Sequence, residues 1–97
     1  MFFIGVFGID NKEKEIKILK ALAHPLRLDI IKLLIINENL CVCKIQEAFN
    51  IGQSNLSQHL KILKDAKILN SKKDGGWVHY SLKNKKIIEI IDLLKEF

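Results

Sequence analysis

Between Asn50 and Ala66 the chain follows a helical period. Leu56, Leu60 and Leu63 recur at i, i+4 and i+7 and so share one face. The remaining positions are polar in an ordered way. Gln53, Ser54, Asn55, Ser57 and Gln58 are small uncharged hydrogen-bonders, and Lys61 and Lys64 follow them. A face that meets only water is usually richer in Glu–Lys pairs. A face that fits a DNA major groove needs compact polar groups for base edges and cations for phosphates. An ordinary solvated helix remains the plain alternative for this stretch taken alone.

The pattern upstream predicts three more helices. Asp10 with Glu13 resembles a capped start, and Ile16, Leu19, Leu22 and Ala23 carry the apolar period to His24-Pro25. The residue before proline avoids the helical region, so the helix ends there, and Pro25 suits the first turn of the next one. In that second helix Leu26, Ile30, Leu33 and Leu34 form a stripe that Leu28, Ile31, Ile35 and Ile36 widen until it is apolar nearly all round, as in a central helix. Asn37-Glu38-Asn39 reads as a loop and Leu40-Cys41-Val42-Cys43 as a short extended stretch. Lys44–Asn50 reads as a brief helix with Ile45, Ala48 and Phe49 inward. A glycine-containing turn joins it to the polar-faced helix, which makes a helix-turn-helix candidate.

Downstream, Ile68–Lys73 and Trp77–Leu82 flank Asp74-Gly75-Gly76, whose glycines supply the positive φ angles of a tight hairpin. Trp77 and Tyr80 suit packing within that hairpin rather than base stacking. Helix, helix, helix-turn-helix and hairpin in this order predict a winged helix-turn-helix, mainly α with a β-hairpin wing (α+β). The wing can set Lys72 and Lys73 beside the groove to meet phosphates, as can Lys64. The last helix, Asn84–Phe97, has Ile87, Ile90, Ile91 and Leu94 on one face and adds Ile88, Leu93 and Phe97. That is more apolar surface than a peripheral helix of a small monomer needs, which points to a dimer seam. Two-fold symmetry would hold the paired recognition helices about 34–36 Å apart.

Size and charge narrow the picture. The 97 residues make one domain, with 10–97 as the folded unit and 1–9 as an apolar N-terminal segment that either packs on a partner or is poorly ordered. That segment is too short to cross a bilayer and lacks the basic start and cleavage site of a secretory signal, so the expected location is cytoplasmic and no membrane partner is implied. The net charge is +5, and from Ile51 to Lys86 eight lysines face only Asp65 and Asp74, a local balance of +6. So uneven a distribution points to a polyanion. The sequence offers no acid/base pair, nucleophile constellation or phosphate-cradling glycine loop, and an enzyme is not expected.

Several segments together resemble the ArsR/SmtB family of winged-helix repressors. They are Leu22-Ala23-His24-Pro25-Leu26-Arg27-Leu28, Leu40-Cys41-Val42-Cys43, the run from Gln53 to Leu63, and Gly75-Gly76-Trp77-Val78-His79-Tyr80-Ser81-Leu82. The resemblance covers about Ile16 to Leu82. It implies a homodimer joined through its first and last helices, bound to double-stranded operator DNA and released by an inducer. Cys41 and Cys43 stand where the arsenic- and cadmium-sensing members carry thiolates. The implied inducer is therefore arsenite or antimonite, with cadmium, lead or zinc as alternatives, and no organic cofactor. The arsenic repressors continue to a third cysteine, where this chain has Gln46. The N-terminal cysteine of cadmium-type members and the last-helix histidines of zinc-type members are also absent from this sequence. Two thiolates alone are too few for a closed zinc site.

Spacing constrains the pair. On a regular helix residues i and i+2 diverge by about 200°, and in an extended strand they share a face but lie far apart, so joint chelation needs a local bend. Cys43 near a helix start would be favoured as a thiolate. Three alternatives stay open: the pair senses oxidation or persulfide, both cysteines are small buried hydrophobes, or the domain is a protein-interaction winged helix that binds no operator. Of the histidines, His24 is expected to cap or pack, His59 to touch DNA backbone and His79 to alternate along the wing. None has ligand spacing, and no metal role follows for any of them.

Overall fold

The computed structural model describes residues 12–97. The segment 1–9 and the Asp10 cap lie outside the described residues. Within them the order is α1 (Lys12–Leu22), α2 (Pro25–Asn37), β1 (Asn39–Cys41), α3 (Val42–Phe49), α4 (Gln53–Asp65), β2 (Leu69–Asp74), β3 (Trp77–Leu82) and α5 (Lys86–Leu94). This is a winged helix-turn-helix with the expected hairpin. Among the described residues no helix is long and apolar enough to cross a membrane.

The α1–α2 break forms as the proline dictates. His24 is extended (φ −157°, ψ 133°), and its Nδ1 accepts the Leu26 N–H at 3.1 Å while Pro25 opens α2. This places a side-chain acceptor on one of the amides that a helix start leaves unpartnered. Helix α2 is central: Ile30, Ile31 and Leu34 are all buried. Leu56, Leu60 and Leu63 of α4 pack into the same core with Ile45 of α3, Leu69 of β2 and Ile87 and Ile91 of α5. Several expected apolar positions lie outside it, Ile16, Leu19 and Leu33 among them. Ile36 and Ala48 are exposed, because each sits on the solvent side of its helix, and so is Ala23, beyond the end of α1.

The sheet has a strand that the hairpin pattern did not announce. Its order is β1-β3-β2. Asn39, Leu40 and Cys41 pair with Ser81, Tyr80 and His79, and β2 pairs with β3 from Leu69↔Leu82 to Asp74↔Trp77. The extended stretch therefore ends at Cys41, and Val42 and Cys43 are already helical. At the wing tip only Gly75 takes a positive φ (65°), not both glycines as anticipated. A two-residue turn with glycine at its first central position suits a type II′ hairpin. Trp77 beside it is exposed rather than packed. The left-handed residue of the helix-turn-helix is Asn50 (φ 49°, ψ 53°), while Gly52 is an extended N-cap. Helix α4 closes on Lys67 (φ 63°), with the Ile68 N–H donating to the Leu63 carbonyl at 3.0 Å. That is the six-to-one bond of a Schellman ending.

The last helix is shorter than Asn84–Phe97: Asn84 lies before it, and its Oδ1 accepts the Lys86 N–H at 2.9 Å. Large apolar side chains remain on the outside, namely Ile16 and Leu19 on α1, Ile90, Leu93 and Leu94 on α5, and Phe97 beyond it.

Candidate functional site

Helix α4 is positioned by its three buried leucines, which turn the opposite face outward. Gln53, Ser54, Asn55, Ser57, Gln58, Lys61 and Lys64 are all exposed. No side chain caps its N-terminus, and no acidic residue occupies its first turn. The amide dipoles there are open to an anion such as phosphate. Lys61 donates to Asp65 at 3.0 Å across one turn. That hydrogen bond holds the Asp65 carboxyl below its ordinary range. Both partners are well exposed, so the pair is weak.

The wing divides its two lysines. Both are exposed, but Lys72 stands opposite His79 and Lys73 opposite Val78. Directly paired residues share a face and successive residues alternate, so Lys72 and Lys73 project to opposite sides of the ribbon.

His59, expected to touch DNA backbone, is half-buried. It lies at i+3 from Leu56 and i−4 from Leu63, on the edge of the buried stripe, and its ring is tilted against that of His24 with centroids 4.5 Å apart. Arg27 Nη1 lies 3.1 Å from His59 Nδ1, while Nε and Nη2 donate to the Ala21 and Lys20 carbonyls at 2.7 and 3.2 Å. Arg27 thus ties the end of α1 to α4. Its one signal in the sequence was its place beside the helix break. Partial burial, then His24 and Arg27, push the His59 pKa down.

Cys41 ends β1 and serves as the N-cap of α3 (φ −69°, ψ 151°), its Sγ accepting the Cys43 N–H at 3.1 Å. The two cysteines are joined as a disulfide, with Cα atoms 5.3 Å apart. The change from strand to helix supplies the bend that the spacing required. Gln46 is half-buried one turn along α3. Among the described residues no group of three or more His, Cys, Asp and Glu side chains already converges as a metal cage.

A helix-turn-helix with a small polar outer face, flanked by a lysine-bearing hairpin, defines a winged-helix DNA-binding regulator. Residues 24–71 match the family described as "Bacterial regulatory protein, arsR family". The chain is 41% identical over 88 residues to an HTH-type transcriptional regulator of Methanocaldococcus jannaschii, covering 91% of this chain and 99% of that one. It is 41% identical over 68 residues to the arsenical resistance operon repressor of Bacillus subtilis, covering 70% of this chain and 65% of that one, so it spans about two thirds of that repressor. The solved structure of HlyU from Vibrio cholerae superposes with a TM-score of 0.79 at 32% identity, covering 91% of this chain and 95% of that one. The chain belongs to the arsR family of transcriptional regulators, which are not enzymes.

Proposed function

We propose that the protein is a homodimeric, cytoplasmic transcriptional repressor that releases its operator when a thiophilic metal or metalloid binds Cys41 and Cys43. Gln53, Ser54, Asn55, Ser57, Gln58 and Lys61 read the major groove, and Lys64, Lys72 and Lys73 meet phosphates. The exposed apolar side chains of α1 and α5 support a dimer through the first and last helices. The observation that carries the inducer reading is the strand-to-helix bend at the β1–α3 junction, which brings the Cα atoms of Cys41 and Cys43 within 5.3 Å. In the reduced protein two thiols held there fit a soft ion and would hold hard ions poorly. Arsenite or antimonite is the leading inducer, with cadmium, lead and zinc behind.

The junction is well placed to move the DNA-contacting elements. β1 is laddered to the wing strand β3, and α3 leads through Asn50 into α4. An ion that binds the distorted junction more tightly than the relaxed one shifts the population away from the DNA-competent form. A gel shift of reduced protein on the upstream promoter DNA, with arsenite, cadmium and zinc added separately, tests this; release by none of them refutes it. For the interface, Lys72→Ala should flatten the salt dependence of binding by about one unit of slope. An unchanged slope removes Lys72 from the phosphate contacts.

A second reading is favoured by the same contact. Two cysteines this close also suit a thiol–disulfide switch, in which two thiols lose two electrons and two protons to an oxidant such as a peroxide. Mass spectrometry of the Cys41–Cys43 peptide after mild peroxide, set beside an arsenite titration, separates the two signals.

A further inference from the structure

We propose that the hollow between α1, the end of α4 and the start of α5 binds a free amphipathic anion, a carboxylate on a medium-length acyl chain, as an effector separate from the cysteine pair. The cavity measures about 670 Å³, within the ordinary range of small-ligand sites. Its floor is apolar: Ile18 of α1, Ala66 and Ile68 beyond α4, and Ile87 and Ile90 of α5. Its rim is cationic: Lys14, Lys17, Lys67, Lys83 and Lys86 are all exposed around it, against Asp65 as the one acid. Asp65 already accepts from Lys61 at 3.0 Å. Among the described residues no rim lysine takes part in an ion pair. Lysine stems cover apolar surface while their heads stay at the water, so hydrocarbon lies below and positive charge above. A ligand with one apolar and one anionic end satisfies both. The rim repels a cationic ligand, and a purely polar one leaves the floor unfilled.

The anionic end has a seat of its own. A second concavity of about 340 Å³ adjoins the first, sharing Asp65, Lys67 and Lys83, and Lys64, Asn70 and Ser71 make it polar. Lys67 and Lys83 therefore stand between an apolar hollow and a polar one. The Lys83 N–H donates to the Ile68 carbonyl at 2.8 Å, which ties the exit of β3 to the residue after Lys67. Lys67 has φ 63°, at a helix ending where glycine is the usual residue. A lysine there carries strain that glycine would avoid, and the ammonium is what the position gains. A dimer seam on Ile16 and Leu19 leaves the α1 wall of the cavity in place, because Lys14, Lys17 and Ile18 lie on the other side of that helix. An occupant touches the end of α4 and the start of β2 at once. With Lys64 meeting operator phosphate as proposed, the bound carboxylate also sets a negative charge beside that lysine, and occupancy should lower operator affinity.

The test titrates the full chain with decanoate by calorimetry and methyl NMR, with decanol and decyltrimethylammonium as controls of equal chain length. Decanoate should bind at least about tenfold more tightly than either control. It should shift the methyls of Ile18, Ile68, Ile87 and Ile90 and lose affinity as salt rises. Lys67→Gly combined with Lys83→Gln should weaken it by about tenfold or more, and glycine suits the φ at position 67. No binding of decanoate, equal binding of all the amphiphiles, or unchanged binding by the double variant overturns the proposal. So do wild-type shifts centred on Leu93 and Leu94, which would mark adsorption on the outside of α5. In a gel shift decanoate should weaken operator binding by wild type several-fold more than by the double variant; binding of decanoate without that difference removes the effector role. The calorimetry needs neither operator nor inducer, so its outcome is separate from that of the cysteine reading.

Discussion

Replacing Arg27 with methionine would isolate the tie between the first helix and the recognition helix. The substitution keeps most of the aliphatic stem and removes the donor fork. The bond to the Ala21 carbonyl is short, 2.7 Å, and Ala21 is buried, so that acceptor cannot simply turn to water. A hydrogen bond from a charged donor in such a setting is worth about 1.5–3 kcal/mol. The 3.2 Å bond to the exposed Lys20 carbonyl contributes less. Loss of a cation at the C-terminal end of α1 removes about 0.3–1 kcal/mol of dipole stabilisation. Together these predict a loss of about 2–4 kcal/mol. In urea titrations at fixed protomer concentration, the midpoint should fall by about 1–2 M with the slope unchanged. Arg27→Lys should recover less than half, because an ammonium cannot reach both carbonyls and His59 at once. A drop below about 0.5 kcal/mol for Arg27→Met would show that the guanidinium merely decorates the corner.

Leu60→Ala, at a position 1% exposed, should cost about 2–5 kcal/mol in the same titration; a cost under about 1 kcal/mol would contradict its place in the core. The lowered His59 pKa means that the unfolded chain binds the proton more readily, so the His59 contribution to stability is complete above about pH 6.5 and declines as pH falls toward the folded value. Thermal melts between those limits should show this decline, and His59→Gln should flatten it. Gly75→Ala should destabilise by about 1–2 kcal/mol because of its positive φ, although a Cβ there meets open space. Gly76→Ala should stay within about 0.5 kcal/mol, and equal costs at the two positions would contradict the turn assignment.

The helices and the hairpin were legible because their signals are local. The leucine period of α4, Pro25 at the head of α2 and the glycines at the wing tip each act within a few residues. β1 was legible as an extended stretch, Leu40–Cys43, but not as a member of the sheet, because its pairing with β3 is settled by tertiary contact. For the same reason His79 could not be related to Cys41 from spacing. The placing of His59 against His24 and Arg27 was not legible, because it depends on how α4 packs on the α1–α2 corner. Its helical phase, beside Leu56 and Leu63, already indicated the inward edge. Ile16 and Leu19 illustrate a different limit. Periodicity marks an apolar face but does not say whether that face meets the protein's own core or another surface, and here both side chains are exposed.

The strand order has a consequence for keeping the protein dispersed at high concentration. With β3 in the middle, β2 is an outer edge, and one of its backbone margins is open to any passing strand. Lysine is a residue that commonly blunts such edges, since adding another strand would bring like charges together. Lys72 and Lys73 therefore guard against sheet-to-sheet association, besides the phosphate contacts proposed for them. Removing both to weaken operator binding would also lower the barrier to β-aggregation, and variants at these positions need light scattering beside the gel before a lost band shift is read as lost affinity.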